Sequence, residues 1–274
     1  MGDEIPWNAS APDAMAGARA EIDRIDNDVL RLVGERLRQG DILAALKPAE
    51  GLPLRPAREA RILRRLIAAS EDKLDADLVI EMWRVLIAAN VRRQKAIEIV
   101  VGSSGGQDPA RQFDLARRHF GARVRIQRVE DVRAALNRAV DQDGVVAVTP
   151  WPSKSGVGMW WHILTESRYQ KVRIIAALPM RASGDEPDAA VAAIGVPLEE
   201  AGGDQTLLIA YDRHYKAARA LSEAGIGGVE MGRADTRVLI RLDGFLGAED
   251  SRLAALARAG LDQVRIVGSY ARVP

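Results

Sequence analysis

Between about Ala16 and Leu46 the chain has no proline, and Ile22, Val29, Val33 and Leu43 recur at steps of three and four, or multiples of them. That spacing predicts one face of a long helix. Arg19, Arg36 and Lys47 fall on the same line, so the apolar stripe is interrupted by cations. A Pro- and Gly-rich break from Lys47 to Pro56 follows, and Pro56 suits the first position of a shorter helix running to about Ser70. Its inner face is expected to be Glu59, Ile62, Leu63, Leu66 and Ile67. Asp75 is a candidate N-cap for a third helix to about Ile97, with Val79, Trp83, Leu86, Asn90, Gln94 and Ile97 as its stripe.

Beyond Ile97 the period changes. Short β-branched runs at 97–101, 123–127, 144–148 and 172–178 alternate with helical stretches at Pro109–Phe120 and Val129–Ala139, the rhythm of an α/β unit. Residues 180–189 are expected to be a loop. From Asp204 the order is strand (TLLIAY), helix (Tyr215–Ala224), strand (GGVEM), strand (TRVLIRL), helix (Glu249–Ala259), strand (DQVRIVGSY). This is the ferredoxin-like βαββαβ motif. The expected organisation is therefore a mobile lead-in at 1–15, an all-α three-helix domain at 16–98, an α/β domain at 99–203 and a βαββαβ module at 204–274.

Composition narrows the chemistry. A net charge of +1 gives no global pull toward nucleic acid or anionic membrane, so any taste for anions must be local. The absence of cysteine removes disulfides, thiolate catalysis and Cys-ligated metals, and it suits a reducing compartment. No apolar run reaches membrane-spanning length, and the acidic N-terminal residues do not have the form of a signal peptide, so a cytoplasmic location is expected.

Buried charges need partners. Arg19, Arg36 and Lys47 could snorkel or pair with acids such as Asp26, Glu35 or Glu59. Alternatively they line a site for a dianionic ligand. The second view gains from the other two helices, which also turn polar residues inward: Arg58 and Glu59 on one, Asn90 and Gln94 on the other. Helix rise places Arg19 about 42 Å from Lys47 but Arg36 only about 16 Å from it, so one ligand cannot meet all three cations of one chain. An antiparallel pairing of two copies would bring Arg19 of one subunit to the Arg36–Lys47 segment of the other, which predicts a homodimer.

The segments ARAEIDRIDNDVLRLVGERLRQGDILAALK, LPLRPARE and MWRVLIAANVRRQ, across residues 16–98, resemble the all-helical type of chorismate mutase in order and spacing. That family converts chorismate to prephenate, a unimolecular rearrangement that calls for no cofactor, metal or nucleophile. The resemblance implies substrate-binding roles for Arg19 across the subunit interface, Arg36, Arg58 and Asn90. It implies catalytic roles for Lys47 and Gln94 at the ether oxygen and for Glu59 at the substrate hydroxyl. In two respects the chain departs from the pattern. Asn90 stands where many members have a small hydroxyl residue, and Arg55 and Pro56 stand where an acid is common one turn before the Arg-Glu pair.

The remainder resembles a prephenate dehydratase followed by its ACT domain, as in the bacterial fusions of mutase and dehydratase. LARRHFG and DVRAALNRAVDQDGVVAVTPWPSKSGVGMWWHIL carry the first likeness, DQTLLIAY and QVRIVGSY the second. Ala189, Ala190 and Val191 occupy the place of the dehydratase's Thr-Arg-Phe motif, and RHYKAA and EMGRAD the places of the effector signatures. The expectation is a chorismate mutase with a degenerate dehydratase-like region and an ACT-like end. A bifunctional mutase and dehydratase, and a non-catalytic sensor or partner subunit, remain the other readings. The GSSGGQ run at 102–107 and Trp160, Trp161 and His162 are expected to be a turn and core packing. Thr206 is expected to be an ordinary strand residue.

Overall fold

The computed structural model describes residues 11–46, 51–71, 73–103, 109–183, 187–196 and 202–274. Residues 47–50, and with them Lys47, lie outside the described part, as does most of the GSSGGQ run. The chain divides into two compact units after Pro48.

Among the described residues the first unit is one helix, α1 (Ala11–Ala45). It starts earlier than the expected lead-in boundary, so residues 11–15 are helical. Glu21, Arg24, Asp28, Arg31 and Glu35 form a ladder of ion pairs one turn apart along one of its faces. On another face Ile22, Ile25 and Val29 are exposed.

The second unit holds everything from Ala49 onward. Helices α2 (Pro56–Ala69) and α3 (Ala76–Gln94) are therefore part of the same body as the sheet, where sequence had placed a domain boundary at 98/99. The reason is packing. Ala60 and Leu63 of α2 form a cluster with Met180, Ala271 and Val273, so the helix is held by the C-terminal segment. Arg64 Nε donates to the Arg272 carbonyl at 2.9 Å and Val273 N donates to the Met180 carbonyl at 3.3 Å.

A nine-stranded mixed sheet forms the centre of this unit. Its strands are β1 (Glu98–Gly102), β2 (Arg125–Val129), β3 (Val145–Pro150), β4 (Arg173–Leu178), β5 (Ala190–Ile194), β6 (Gln205–Tyr211), β7 (Gly228–Ala234), β8 (Arg237–Asp243) and β9 (Asp262–Tyr270), in the order β2-β1-β3-β5-β4-β9-β6-β8-β7. Helices α4 (Pro109–Phe120) and α5 (Val132–Asp141) connect the first three, parallel strands. The βαββαβ order at the C-terminus is present, with α6 (Ala217–Glu223) and α7 (Ser251–Arg258) as its helices. The sheet runs without a break across residue 203, because β4 pairs in parallel with β9 at Ile174 and Gly268. A Cβ at position 268 would run into the Ile174 carbonyl oxygen, so the seam needs glycine there.

Three further clusters fill the unit. Val100, Leu136, Trp161, Leu164 and Leu207 belong to one, Ile99, Phe120, Val148 and Leu178 to a second, and Leu208, Ile240 and Leu256 to a third under α6 and α7. Trp160 and Trp161 lie in a 3-10 segment (Gly156–Thr165) and are buried, with indole N–H groups donating to the carbonyls of Pro150 and Ser153. Thr206 does more than fill a strand: its hydroxyl donates to Gly244 O and accepts from Leu246 N, both at 2.9 Å, fixing the turn after β8.

Candidate active site

On α1, Arg19 is exposed. Arg36 is half-buried, its Nη1 has no hydrogen-bond partner among the described residues, and burial lowers its pKa. A guanidinium donor left open in this way is what a carboxylate ligand needs.

On α2, the missing N–H of Pro56 falls at the first helical turn, where it has no intrahelical partner to lose. Arg58 and Glu59 follow, and they diverge. Arg58 is exposed, whereas Glu59 is only 7% exposed. The Glu59 carboxylate accepts from Arg55 N at 3.4 Å and from Arg84 Nη1 at 2.5 Å. Arg84, 6% exposed on α3, also donates through Nε to the His119 carbonyl at 2.9 Å and through Nη2 to the same oxygen. The three contacts tie α2, α3 and the end of α4 together. They satisfy charges that would be costly in the interior without partners.

Asp75 caps α3, accepting from Leu78 N at 3.4 Å. The buried face of this helix is Val79, Arg84, Ile87, Ala88 and Val91, turned from the expected stripe. Trp83, Leu86 and Asn90 are half-buried, and Gln94 is exposed. Asn90 Oδ1 is sealed from solvent without a hydrogen-bond partner among the described residues. Asn90 and Gln94 stand one turn apart on one face of α3. Sequence reasoning missed Arg84. Its signal was there: a charged residue in the 84, 87, 88, 91 pattern of an otherwise apolar face.

His119 is the other unassigned polar group in this region. Burial first, and the Arg84 charge second, push its pKa well below the ordinary histidine value, so the imidazole is neutral. At the C-terminal end, Asp212 is also buried. Burial alone would raise its pKa, but hydrogen bonds from Lys216 N, Arg233 and Ala217 N lower it.

Comparison with known proteins bears on the segment that carries α1 to α3. Residues 18–95 match the family described as chorismate mutase type II. A curated chorismate mutase from Methanocaldococcus jannaschii is 34% identical over 83 residues, covering 30% of this chain and 84% of that protein. The chain belongs to the type II chorismate mutase family, a family of isomerase enzymes, through its N-terminal third. Among solved structures, a prephenate dehydratase from Streptococcus mutans aligns with a TM-score of 0.46 and 14% identity, covering 65% of this chain and all (100%) of that one. GqqA, described as a novel type of quorum quenching acylase, aligns at 0.45 and 18% identity, covering 64% and 95%. No helix among the described residues is long and apolar enough to cross a membrane.

Proposed function

We propose that this protein rearranges chorismate to prephenate, in the cytoplasm, as a homodimer. The observation that carries the proposal is the family match over residues 18–95, which spans every proposed site residue, Arg19 through Gln94. Arg36, with Lys47 helping, holds one substrate carboxylate, Arg19 reaches into the pocket of the other subunit to hold the second, and Arg58 contributes to substrate binding. These clamps fold the substrate into a compact near-attack conformer. Lys47 and Gln94 donate to the ether oxygen as it gains charge, each worth about 2–4 kcal/mol by analogy with oxyanion donors. Glu59 orients the substrate hydroxyl, with Asn90 beside it. The exposed apolar side chains of α1 support a partner: Ile22, Val29, Leu30 and Leu43 are all at least 46% exposed.

The modules we assign are 16–98 for the mutase, 99–203 for a dehydratase-like region and 204–274 for an ACT-like region. Ala189, Ala190 and Val191 carry no hydrogen-bonding side chain, and the latter two are buried in β5, which supports a C-terminal half without dehydratase activity.

The test follows chorismate loss in the ultraviolet for wild type, Arg36→Ala and Gln94→Ala, with products assayed for prephenate and phenylpyruvate. We expect prephenate alone, and a loss of about 100-fold or more in kcat/KM for each variant. No turnover by wild type overturns the mutase reading, and equal activity of wild type and Arg36→Ala overturns the site.

A further inference from the structure

The Glu59 carboxylate is held unevenly. Its Oε2 accepts from Arg84 Nη1 at 2.5 Å, while Oε1 has the long contact from Arg55 N at 3.4 Å. A carboxylate offers about four lone-pair directions, so Oε1 keeps most of its capacity as an acceptor. With the side chain 10% exposed, little water competes for it.

A glutamate turns about several side-chain bonds, and an oxygen meant for one group of a substrate needs a further constraint. Arg84 supplies one. Its Nη1 holds Glu59, and its Nε and Nη2 both donate to the His119 carbonyl, Nε at 2.9 Å. That oxygen lies in the last turn of α4, where a helix leaves carbonyls without intrahelical partners. Because a guanidinium is planar and rigid, anchoring two of its nitrogens on one oxygen sets the direction in which the third points. The anchor lies outside the stretch that matches the mutase family. That match ends at residue 95, whereas His119 belongs to the α/β part of the second unit.

We propose that Arg84 is a positioning residue for the mutase reaction: it holds Oε2 of Glu59 so that Oε1 meets the substrate hydroxyl, with the end of α4 as the fixed point. The assignment rests on the mutase reading. It gives the region beyond residue 98 a part in the chemistry without a reaction of its own.

The test compares chorismate with an analogue lacking the ring hydroxyl, on the full-length chain. Arg84→Lys keeps a cation beside Glu59 but loses the planar fork. We expect it to lower kcat/KM for chorismate about tenfold or more, and to leave kcat/KM for the analogue within about twofold of wild type. A residue that only held α2, α3 and α4 together would lower both alike, and that outcome overturns the proposal. A second measurement does not depend on how Arg84→Lys folds. Glu59→Gln removes the carboxylate through which Arg84 acts, so adding Arg84→Met to it, which leaves neither charge of the pair, should change kcat/KM for chorismate by no more than about twofold. A further loss of about tenfold in the double variant overturns the proposal, because Arg84 would then act without Glu59. Absence of turnover by wild type overturns the mutase reading and this role with it. An active wild type with equal losses on both substrates overturns the role of Arg84 alone.

Discussion

The helix α1 and the unit from Ala49 onward are stabilised in different ways. In the second unit Leu63, Trp161, Leu178 and Leu207 are fully covered by neighbours within the same chain. On α1 the largest apolar side chains stand in solvent, with Leu30 72% exposed. α3 shares this feature on its outer side, where Leu78, Met82 and Val85 recur at helical spacing and are exposed. Most helical stability in proteins comes from packing an apolar face. The lesson is that the second unit closes its own core, while α1 leaves an apolar face open, the face that the proposed dimer would cover.

The sharpest way to break that contrast is a charge on the open face of α1. If the proposed dimer forms through this face, Val29→Asp is expected to convert it to a monomer and to lower chorismate turnover by about 100-fold or more, since the proposed pocket would then lack the partner's Arg19. Sedimentation and the chorismate assay read the two effects. The melting transition of the sheet unit should stay within about 0.5 kcal/mol of wild type. A variant that remains a dimer would show that another surface joins the subunits.

Inside the second unit the largest effect should come from the buried ion pair. Arg84→Met leaves the Glu59 carboxylate enclosed without its cation, and a broken buried pair typically costs about 3–5 kcal/mol. The double variant Glu59→Gln with Arg84→Met should recover much of this. Denaturant unfolding measures both. Equal stability of Arg84→Met and wild type would mean that water reaches Glu59.

These two regions also differed in how far their sequence could be read. The strands rich in Val and Ile declared themselves, and α4 spans the expected residues Pro109–Phe120. The strand β5 did not, because AVAAI has too little β-branched character and no alternation, being buried on both faces. The continuity of the sheet was hidden for another reason. It depends on Ile174 meeting Gly268, a non-local pairing that no local pattern encodes. In the candidate site, the residue types on α2 and α3 were legible from spacing and family likeness. Their orientation was not. A period of 3.6 residues fixes which positions share a face but leaves open which face turns inward, so Arg84 is buried where Gln94 was expected. Glu59 was singled out correctly as a buried polar group, but its partner came from α3, within the chain.

The seam offers a smaller effect. Gly268→Ala places a methyl group against the Ile174 backbone, and overpacking of this kind costs about 1–3 kcal/mol. Thermal unfolding should show it. No loss would mean that β4 and β9 can part at this point without consequence.

Acid should act on the same unit through His119. Its folded-state pKa is depressed, so between that value and the ordinary histidine value the unfolded chain binds the extra proton. The stabilising contribution is complete above about pH 6.5 and is lost as pH falls below it. Stability measured from pH 7 down to pH 5 is expected to decline, and His119→Phe should flatten that part of the curve. An unchanged slope in the variant would assign the acid sensitivity to other groups.

The least effect should come from the charged ladder of α1. Arg24 bonds Glu21 at 2.6 Å and Asp28 at 2.9 Å, yet all three side chains are about half exposed or more. Water screens such pairs, and holding long side chains in one geometry offsets what attraction remains. Arg24→Gln is therefore expected to leave the melting temperature, its salt dependence and the dimer unchanged, despite removing two short ion pairs. If it instead weakened the dimer, the ladder would have to sit against the partner, and the apolar stripe around Val29 would lose its claim to be the interface.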